Sequence, residues 1–137
     1  MAFERYLHEW IDKGPSENGI PVELLKAAPV GLPEDYLCFM AKRNGGDGFV
    51  GKSYLVLWPL EELVPFNREY EVATYVPGLF LIGSNGAGEG FGYDLRPSSK
   101  RSLVIVPFVG MDWKEALPVG SSMAEFLRVL YKGRLFE

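Results

Sequence analysis

Few residues in the sequence have side chains suited to nucleophilic or metal-dependent chemistry. His8 is the single histidine and Cys38 is the single cysteine. A structural zinc site of the histidine and cysteine type needs four such ligands, and a serine nucleophile needs a nearby base, most often histidine. The G-x-S-x-G elbow of the hydrolases does not occur in the chain. We therefore predict a protein that is not an enzyme and uses no metal or other cofactor, with His8 as a surface residue.

The sequence around Cys38 predicts a structural thiol. Cys38 lies between Leu37 and Phe39, and two acids precede it by three and four residues. A reactive thiol needs a cationic neighbour or a helix N-terminus, and these acids oppose that setting. Because cysteine is among the residue types most often buried, we predict that Cys38 is buried.

A glycine-rich stretch at residues 83–92 is the segment most similar to a phosphate-binding loop. It contains neither the lysine of a P-loop nor the spacing of a dinucleotide-binding loop. The glycines at 86, 88, 90 and 92 instead recur at every second residue, which would leave one face of a strand without side chains. This pattern predicts a hairpin or bulge against which another stretch of backbone packs closely. Anion or small-molecule binding by this turn is the alternative.

An acidic block occupies the middle of the chain. Residues 44–95 contain seven acids and two bases, interleaved with aromatic residues. Acids together with aromatic anchors form surfaces that attract and hold basic proteins; alternatively, the rings belong to the core and the acids only solubilise the protein. On the first interpretation, the predicted protein-binding residues are Asp47, Trp58, Glu61, Glu62, Glu69, Glu71 and Glu89.

The overall composition limits the class of protein. The 137 residues are enough for one domain, and the net charge of −4 favours neither nucleic acid nor anionic lipid as a partner. No apolar run approaches the roughly 20 residues needed to cross a bilayer, and the N-terminus lacks the apolar core of a signal peptide. We expect a cytoplasmic protein, monomeric or homodimeric, that binds a basic protein.

Helical patterns predict where the first elements lie. Phe3, Leu7, Trp10 and Ile11 recur at helical spacing and predict an N-terminal helix over about residues 3–12. A short helix is expected over 22–28. The next helix opens at Leu32-Pro33 and is followed by Asn44-Gly45-Gly46, which tolerates the left-handed backbone of a helix end.

The remaining segments predict strands, two short helical regions and a last helix. We expect strands at 54–58, 79–83, 91–95 and 101–108, a helical turn at 59–63, and moderate helical character over 67–75. Ser122 and Glu125 have the spacing of a capping box that begins the last helix. Because the helices and strands do not alternate regularly, we predict an α+β fold with a central, mostly antiparallel sheet flanked by helices.

Several of these segments together resemble the SUKH superfamily, the Smi/Knr-like domains. The resemblance rests on Leu32-Pro33-Glu34-Asp35-Tyr36 with Phe39, on Asn44-Gly45-Gly46, on the Ile82–Asp94 segment, and on Ser122–Leu127. Their order and spacing cover about residues 20–131. The predicted N-terminal helix precedes this region as an addition to a single domain over 1–137.

The resemblance implies both a fold and a function. It implies an antiparallel sheet with flanking helices, and no catalytic site to transfer. Many bacterial relatives act as immunity proteins that neutralise secreted toxins, often nucleases, so the expected partner is a basic toxin domain. A regulatory scaffold that binds housekeeping partners, as in the fungal branch, is the alternative. In either case the motifs identify structural residues, and no binding residue carries over.

Overall fold

The fold is known from a computed structural model, which describes residues 3–15, 19–27 and 31–133. Seven strands are present in this part of the chain: β1 (Glu9–Asp12), β2 (Gly46–Val50), β3 (Ser53–Leu57), β4 (Leu79–Ser84), β5 (Glu89–Asp94), β6 (Leu103–Pro107) and β7 (Leu117–Gly120). The α-helices are α1 (Val22–Ala27), α2 (Glu34–Arg43), α3 (Leu60–Glu69), α4 (Val72–Tyr75) and α5 (Met123–Lys132). Short 3-10 turns lie at Glu4–Tyr6 and Trp113–Glu115.

The strands form one sheet in sequence order, from β1 at one edge to β7 at the other. Every neighbouring pair is antiparallel. The prediction of an α+β fold with an antiparallel sheet flanked by helices is confirmed. No helix in the described ranges is long and apolar enough to cross a membrane.

One face of the sheet, here called the inner face, packs against α2 and α5. The Phe91 ring contacts Phe126 of α5 edge to face, with ring centres 5.0 Å apart. Tyr93 meets Tyr36 of α2 in the same manner at 5.5 Å. Both tyrosine hydroxyls are buried without a hydrogen-bond partner among the described residues, and burial raises both pKa values far above that of an exposed phenol. The inner face and these two helices therefore enclose buried aromatic residues of the core.

The prediction of an N-terminal helix over residues 3–12 is wrong. After the turn at Glu4–Tyr6, the chain forms β1, and His8 lies exposed between the two. Trp10 is buried, packs at 5.9 Å from the Phe39 ring, and donates its indole N–H to the Leu55 carbonyl at 3.0 Å, whereas its neighbour Ile11 is 75% exposed. Side chains of adjacent residues that point to opposite sides are typical of a strand. Pairing with a distant part of the chain therefore favoured the strand over the helix that the local apolar spacing predicts.

The helix that follows Leu32-Pro33 is confirmed. Tyr36, Phe39 and Met40 of α2 are buried, and α2 ends at Asn44 with φ of 45°. Cys38 lies on the other side of α2 and is exposed, so the prediction that it is buried is wrong. Its apolar neighbours in the sequence point elsewhere because successive helical residues are about 100° apart.

The other predicted elements agree in place and differ in length. The short helix at 22–28 is α1, although Ala28 lies outside the described residues. The single turn expected at 59–63 is the start of the ten-residue α3, which includes Pro65, and the expected helix at 67–75 divides between α3 and α4. Strands β3 to β6 lie at their predicted positions, whereas β2 and β7 were not predicted. Gly46–Gly51 has the spacing of a dinucleotide-binding loop, but it forms β2 and a tight turn, not a strand-to-helix connection.

Candidate protein-binding surface

The sheet has a second face, here called the outer face, and one row of paired residues crosses it. The pairing joins Ile11, Asp47, Val56, Ser84, Gly90 and Val106, one from each of β1 to β6. Paired residues in antiparallel strands point to the same side. Exposure falls along this row, from strongly exposed on β1 and β2 to buried on β5 and β6. The outer face is thus covered at one end and open at the other.

We call the open end of this surface the open face. It consists of Glu9, Ile11, Asp47, Phe49, Tyr54 and Val56. The Phe49 side chain is 49% exposed and meets the Tyr54 ring edge to face at 5.1 Å. Exposed apolar side chains that are contiguous, rather than scattered, are typical of sites of protein contact.

The charges on the open face are both negative. Asp47 lies between Ile11 and Val56 in the row and accepts a hydrogen bond from the Tyr54 hydroxyl at 2.9 Å. This hydrogen bond to an ionised carboxylate raises the pKa of the Tyr54 phenol, because losing the proton would leave two negative groups in contact. The bond also holds the carboxylate of Asp47 beside two aromatic rings.

Four stacked rings adjoin the open face and are here called the aromatic cluster: Trp58, Phe66, Tyr70 and Phe108. The Trp58 ring stacks on Phe66 at 4.4 Å, and Tyr70 stacks on Phe108 at 4.4 Å. Trp58 is only 7% exposed, so it supports the cluster from beneath, whereas the other three rings are half-buried. Tyr54 and Val56 point to one side of β3, and Trp58, the first residue after β3, continues the same alternation. The open face and the aromatic cluster therefore form one surface.

Glycine makes room for the aromatic cluster. A Cβ atom on Gly90 would lie 2.7 Å from the Phe108 ring. The predicted hairpin is confirmed, because β4 and β5 form it. Backbone packs closely at Gly92, where a Cβ atom would lie 2.7 Å from the Phe80 carbonyl oxygen, whereas the group packed on Gly90 is a ring from the β6–β7 connection and not backbone.

The acids of α3 border the aromatic cluster. Glu61, Glu62 and Glu69 are exposed, and Glu62 lies one helical turn before Phe66, which lies one turn before Tyr70. The structure therefore brings Glu62 and Glu69 next to the rings. It places Glu71 elsewhere, on a groove of about 340 Å³ between α3, α4 and β4 that Arg68 also lines.

Asn44 positions Glu61 and the start of α3. Its side-chain oxygen accepts a hydrogen bond from the Leu60 amide at 2.9 Å, and its side-chain nitrogen donates to the Glu61 carboxylate at 2.9 Å. Asn44 itself is 8% exposed. The residue that ends α2 thus also caps α3, which the sequence pattern did not reveal because the two helices are separated by β2 and β3.

Glu89 does not join this surface. Along β5 it precedes Gly90 and shares a side with Phe91, which faces α5. Its carboxylate accepts from the Asn85 side chain at 2.9 Å, within the β4–β5 turn. In the same turn, Asn85 accepts from the amides of Ala87 and Glu89. Because these amides are already bonded, the turn offers little to an anion.

The described residues contain no group of three or more histidine, cysteine or carboxylate side chains arranged to hold a metal ion. The chemical groups that this surface exposes are aromatic rings, apolar side chains and carboxylates.

The match to a known protein family covers most of the chain. Residues 21–129 match the SMI1 / KNR4 family (SUKH-1). The chain belongs to this family. A comparison with curated proteins finds no match.

The SUKH-1 match includes α3, the aromatic cluster and β2 to β7, whereas β1 precedes it. Glu9 and Ile11 therefore extend the outer face beyond the region that matches the family. The motif residues Gly45 and Gly46 lie where a Cβ atom would collide with the backbone of β3 or β1. They are structural residues, and the candidate binding residues are separate from them.

Proposed function

We propose that this SUKH-1 protein is a non-enzymatic, immunity-type protein that binds and neutralises a basic protein toxin. One observation supports this proposal above the others. The open face presents exposed apolar and aromatic side chains together with Asp47, and the adjoining aromatic cluster is bordered by the exposed acids Glu62 and Glu69 of α3. Rings that exclude water and acids that attract a basic partner are the two components of a tight, rapidly formed interface.

Capture of a partner tests the proposal. The protein is immobilised, lysate from densely grown host cells is passed over it, and proteins that survive a high-salt wash are identified. We expect one stoichiometric basic protein whose toxic activity, measured after purification, falls to background at a one-to-one ratio with this chain. Several weakly held partners would instead support the scaffold alternative. A captured partner whose activity is unchanged by binding would contradict the immunity role.

Charge reversal then tests whether the acids contribute. In a variant with Glu61, Glu62 and Glu69 changed to lysine, we expect slower association and a weaker dependence of the association rate on salt. Glu115→Lys, at an exposed position in the 3-10 turn before β7, is the matched control and should associate like the wild type. Thermal unfolding of both variants is measured first, because acids in the first turn of α3 also favour its helix dipole. Equal association rates for the wild type and the triple variant would show that these acids do not steer the partner.

A further inference from the structure

We infer that the open face is the docking centre for a basic segment of the partner, one whose apolar side chain is flanked by lysine or arginine. This inference rests on the proposed function and adds to it the location of the site and the chemistry of its occupant. Its centre is the pair Ile11 and Phe49, on adjacent strands at the edge of the sheet, and not the acidic helix α3.

The exposure of Ile11 and Phe49 is the first argument. They are 75% and 49% exposed, and Tyr54 beside Phe49 is half-buried. The register places Phe49 directly opposite both Glu9 and Tyr54, so that ring lies at the middle of three strands. Burial of an exposed, contiguous apolar patch of this kind by a partner is favourable, because it removes apolar surface from water.

The charge of the face is the second argument, and it selects the occupant. Among the six residues of the open face, the two charged side chains are Glu9 and Asp47, and both flank the apolar pair. Lys52 lies beside Gly133 at the end of α5, and the Arg43 guanidinium lies over the Phe39 ring. Lys13, which is exposed, follows β1 directly and lies beyond the six residues of the open face. An occupant with apolar and basic side chains would therefore match this face in both respects.

The rigidity of the face is the third argument. Trp10 points away from the open face into the core, and its indole N–H donates to the carbonyl of Leu55 on β3 at 3.0 Å, which ties β1 to β3 across the intervening β2. The Tyr54 hydroxyl holds the Asp47 carboxylate. Side chains that are already ordered lose less conformational entropy when a partner binds, so this face is prepared for tight binding.

Selection from a displayed library tests the chemistry of the occupant. The probe is a library of random linear peptides about twelve residues long, which in extended form can cross the open face. We expect the enriched peptides to share an apolar residue flanked by lysine or arginine. Enrichment of acidic or uncharged peptides, or no enrichment above an unrelated acidic protein, would overturn the inference.

Substitutions then test the location. Ile11→Thr and Phe49→Thr keep residues that favour strands and should each weaken binding of the selected peptides by about tenfold or more. The control is Leu117→Thr, on β7 at the other edge of the sheet, where the replaced side chain is also 60% exposed. Equal binding by all three variants, or a loss in Leu117→Thr alone, would place the site elsewhere. Circular dichroism and thermal unfolding of each variant confirm that a loss of binding is not a loss of fold.

Three further outcomes test this inference and separate it from the proposed function. A second copy of the chain could cover the same face. If light scattering shows that the wild type is a dimer and that Ile11→Thr and Phe49→Thr are monomers, the face mediates self-association, and the inference of a basic partner is overturned. A captured toxin that binds both threonine variants as well as it binds the wild type, but is lost when the three α3 acids are reversed, would overturn the docking centre and leave the proposed function standing. A captured partner that is not neutralised would overturn the function, while the peptide result would still decide whether this face binds basic segments.

Discussion

Substitution of Asn44 should reveal how strongly the fold depends on one side chain that joins two helices. Asn44 ends α2 in the left-handed conformation and accepts the Leu60 amide at the start of α3. Alanine at this position removes the acceptor and leaves a buried amide without a partner, at a cost of about 1–3 kcal/mol. It also places an ordinary side chain in the left-handed region, at about 1 kcal/mol. We expect Asn44→Ala to lower the free energy of unfolding by about 2–4 kcal/mol.

Glycine and aspartate separate the two contributions. Asn44→Gly removes the cap but adopts the left-handed conformation freely, so it should be about 1 kcal/mol more stable than Asn44→Ala. Asn44→Asp retains an acceptor for the Leu60 amide, but it replaces the donor that meets the Glu61 carboxylate at 2.9 Å by a second negative charge. This variant should therefore be stabilised when Glu61 is also changed to glutamine, since the repulsion is then removed.

The assay is urea unfolding followed by tryptophan fluorescence, with the slope of the transition compared among variants. An unchanged slope shows that stability has changed and the extent of unfolding has not. A loss of less than about 0.5 kcal/mol in Asn44→Ala, or equal losses in the alanine and glycine variants, would refute this account of the cap and of the left-handed backbone.

Three further predictions concern the core and the open face. Replacing both Tyr36 and Tyr93 by phenylalanine should leave the free energy of unfolding at pH 8 unchanged or higher, since their hydroxyls have no hydrogen-bond partner among the described residues. Because burial raises the pKa of both tyrosines in the folded state, the wild type should keep its full stability below a pH of about 10, the pKa of an exposed phenol, and lose stability above it. Urea unfolding at pH 11 should therefore show a smaller loss of stability in the double variant than in the wild type. Gly90→Ala should lower the melting temperature, at a cost of at most about 1–3 kcal/mol, because its Cβ atom would lie 2.7 Å from the half-buried Phe108 ring, which must shift to make room; an unchanged melting temperature would contradict that packing. Asp47→Asn should lower the raised pKa of Tyr54 towards that of a free phenol, and an ultraviolet pH titration that shows no change from the wild type would disprove the coupling.

The sequence was sufficient where local and long-range preferences agree. In α2, the proline entry, the acids of the first turn and the apolar spacing all favour a helix, and the fold buries that same face. In α5, Ser122 accepts from the Glu125 amide as predicted, while the Glu125 carboxylate accepts from Ser121, one residue before the expected cap. Local signals therefore located these helices to within a residue.

The sequence was insufficient where pairing across the chain decides. The segment Glu9–Asp12 contains a helical spacing of apolar residues, yet it forms β1. It does so because it pairs with β2 and because Trp10 is buried when the segment is a strand. β2 itself has glycine at Gly46 and Gly48, which contribute no apolar pattern. Without these two strands the open face does not exist, so Ile11 and Phe49 could not be selected as binding residues, and the burial of Trp58 could not be seen.

The separation of framework from surface explains what family membership can and cannot determine here. Asn44, Gly45 and Gly46, which carry the resemblance, are buried and are fixed by contacts with the backbone of other elements. Glu62 and Ile11 are exposed, so they can change without disturbing those contacts. A family built in this way can keep one fold while its members bind different partners. On the proposed function, the choice of partner would be encoded on the exposed outer face, and β1, which lies before the SUKH-1 match, is where this chain adds its own residues to that face.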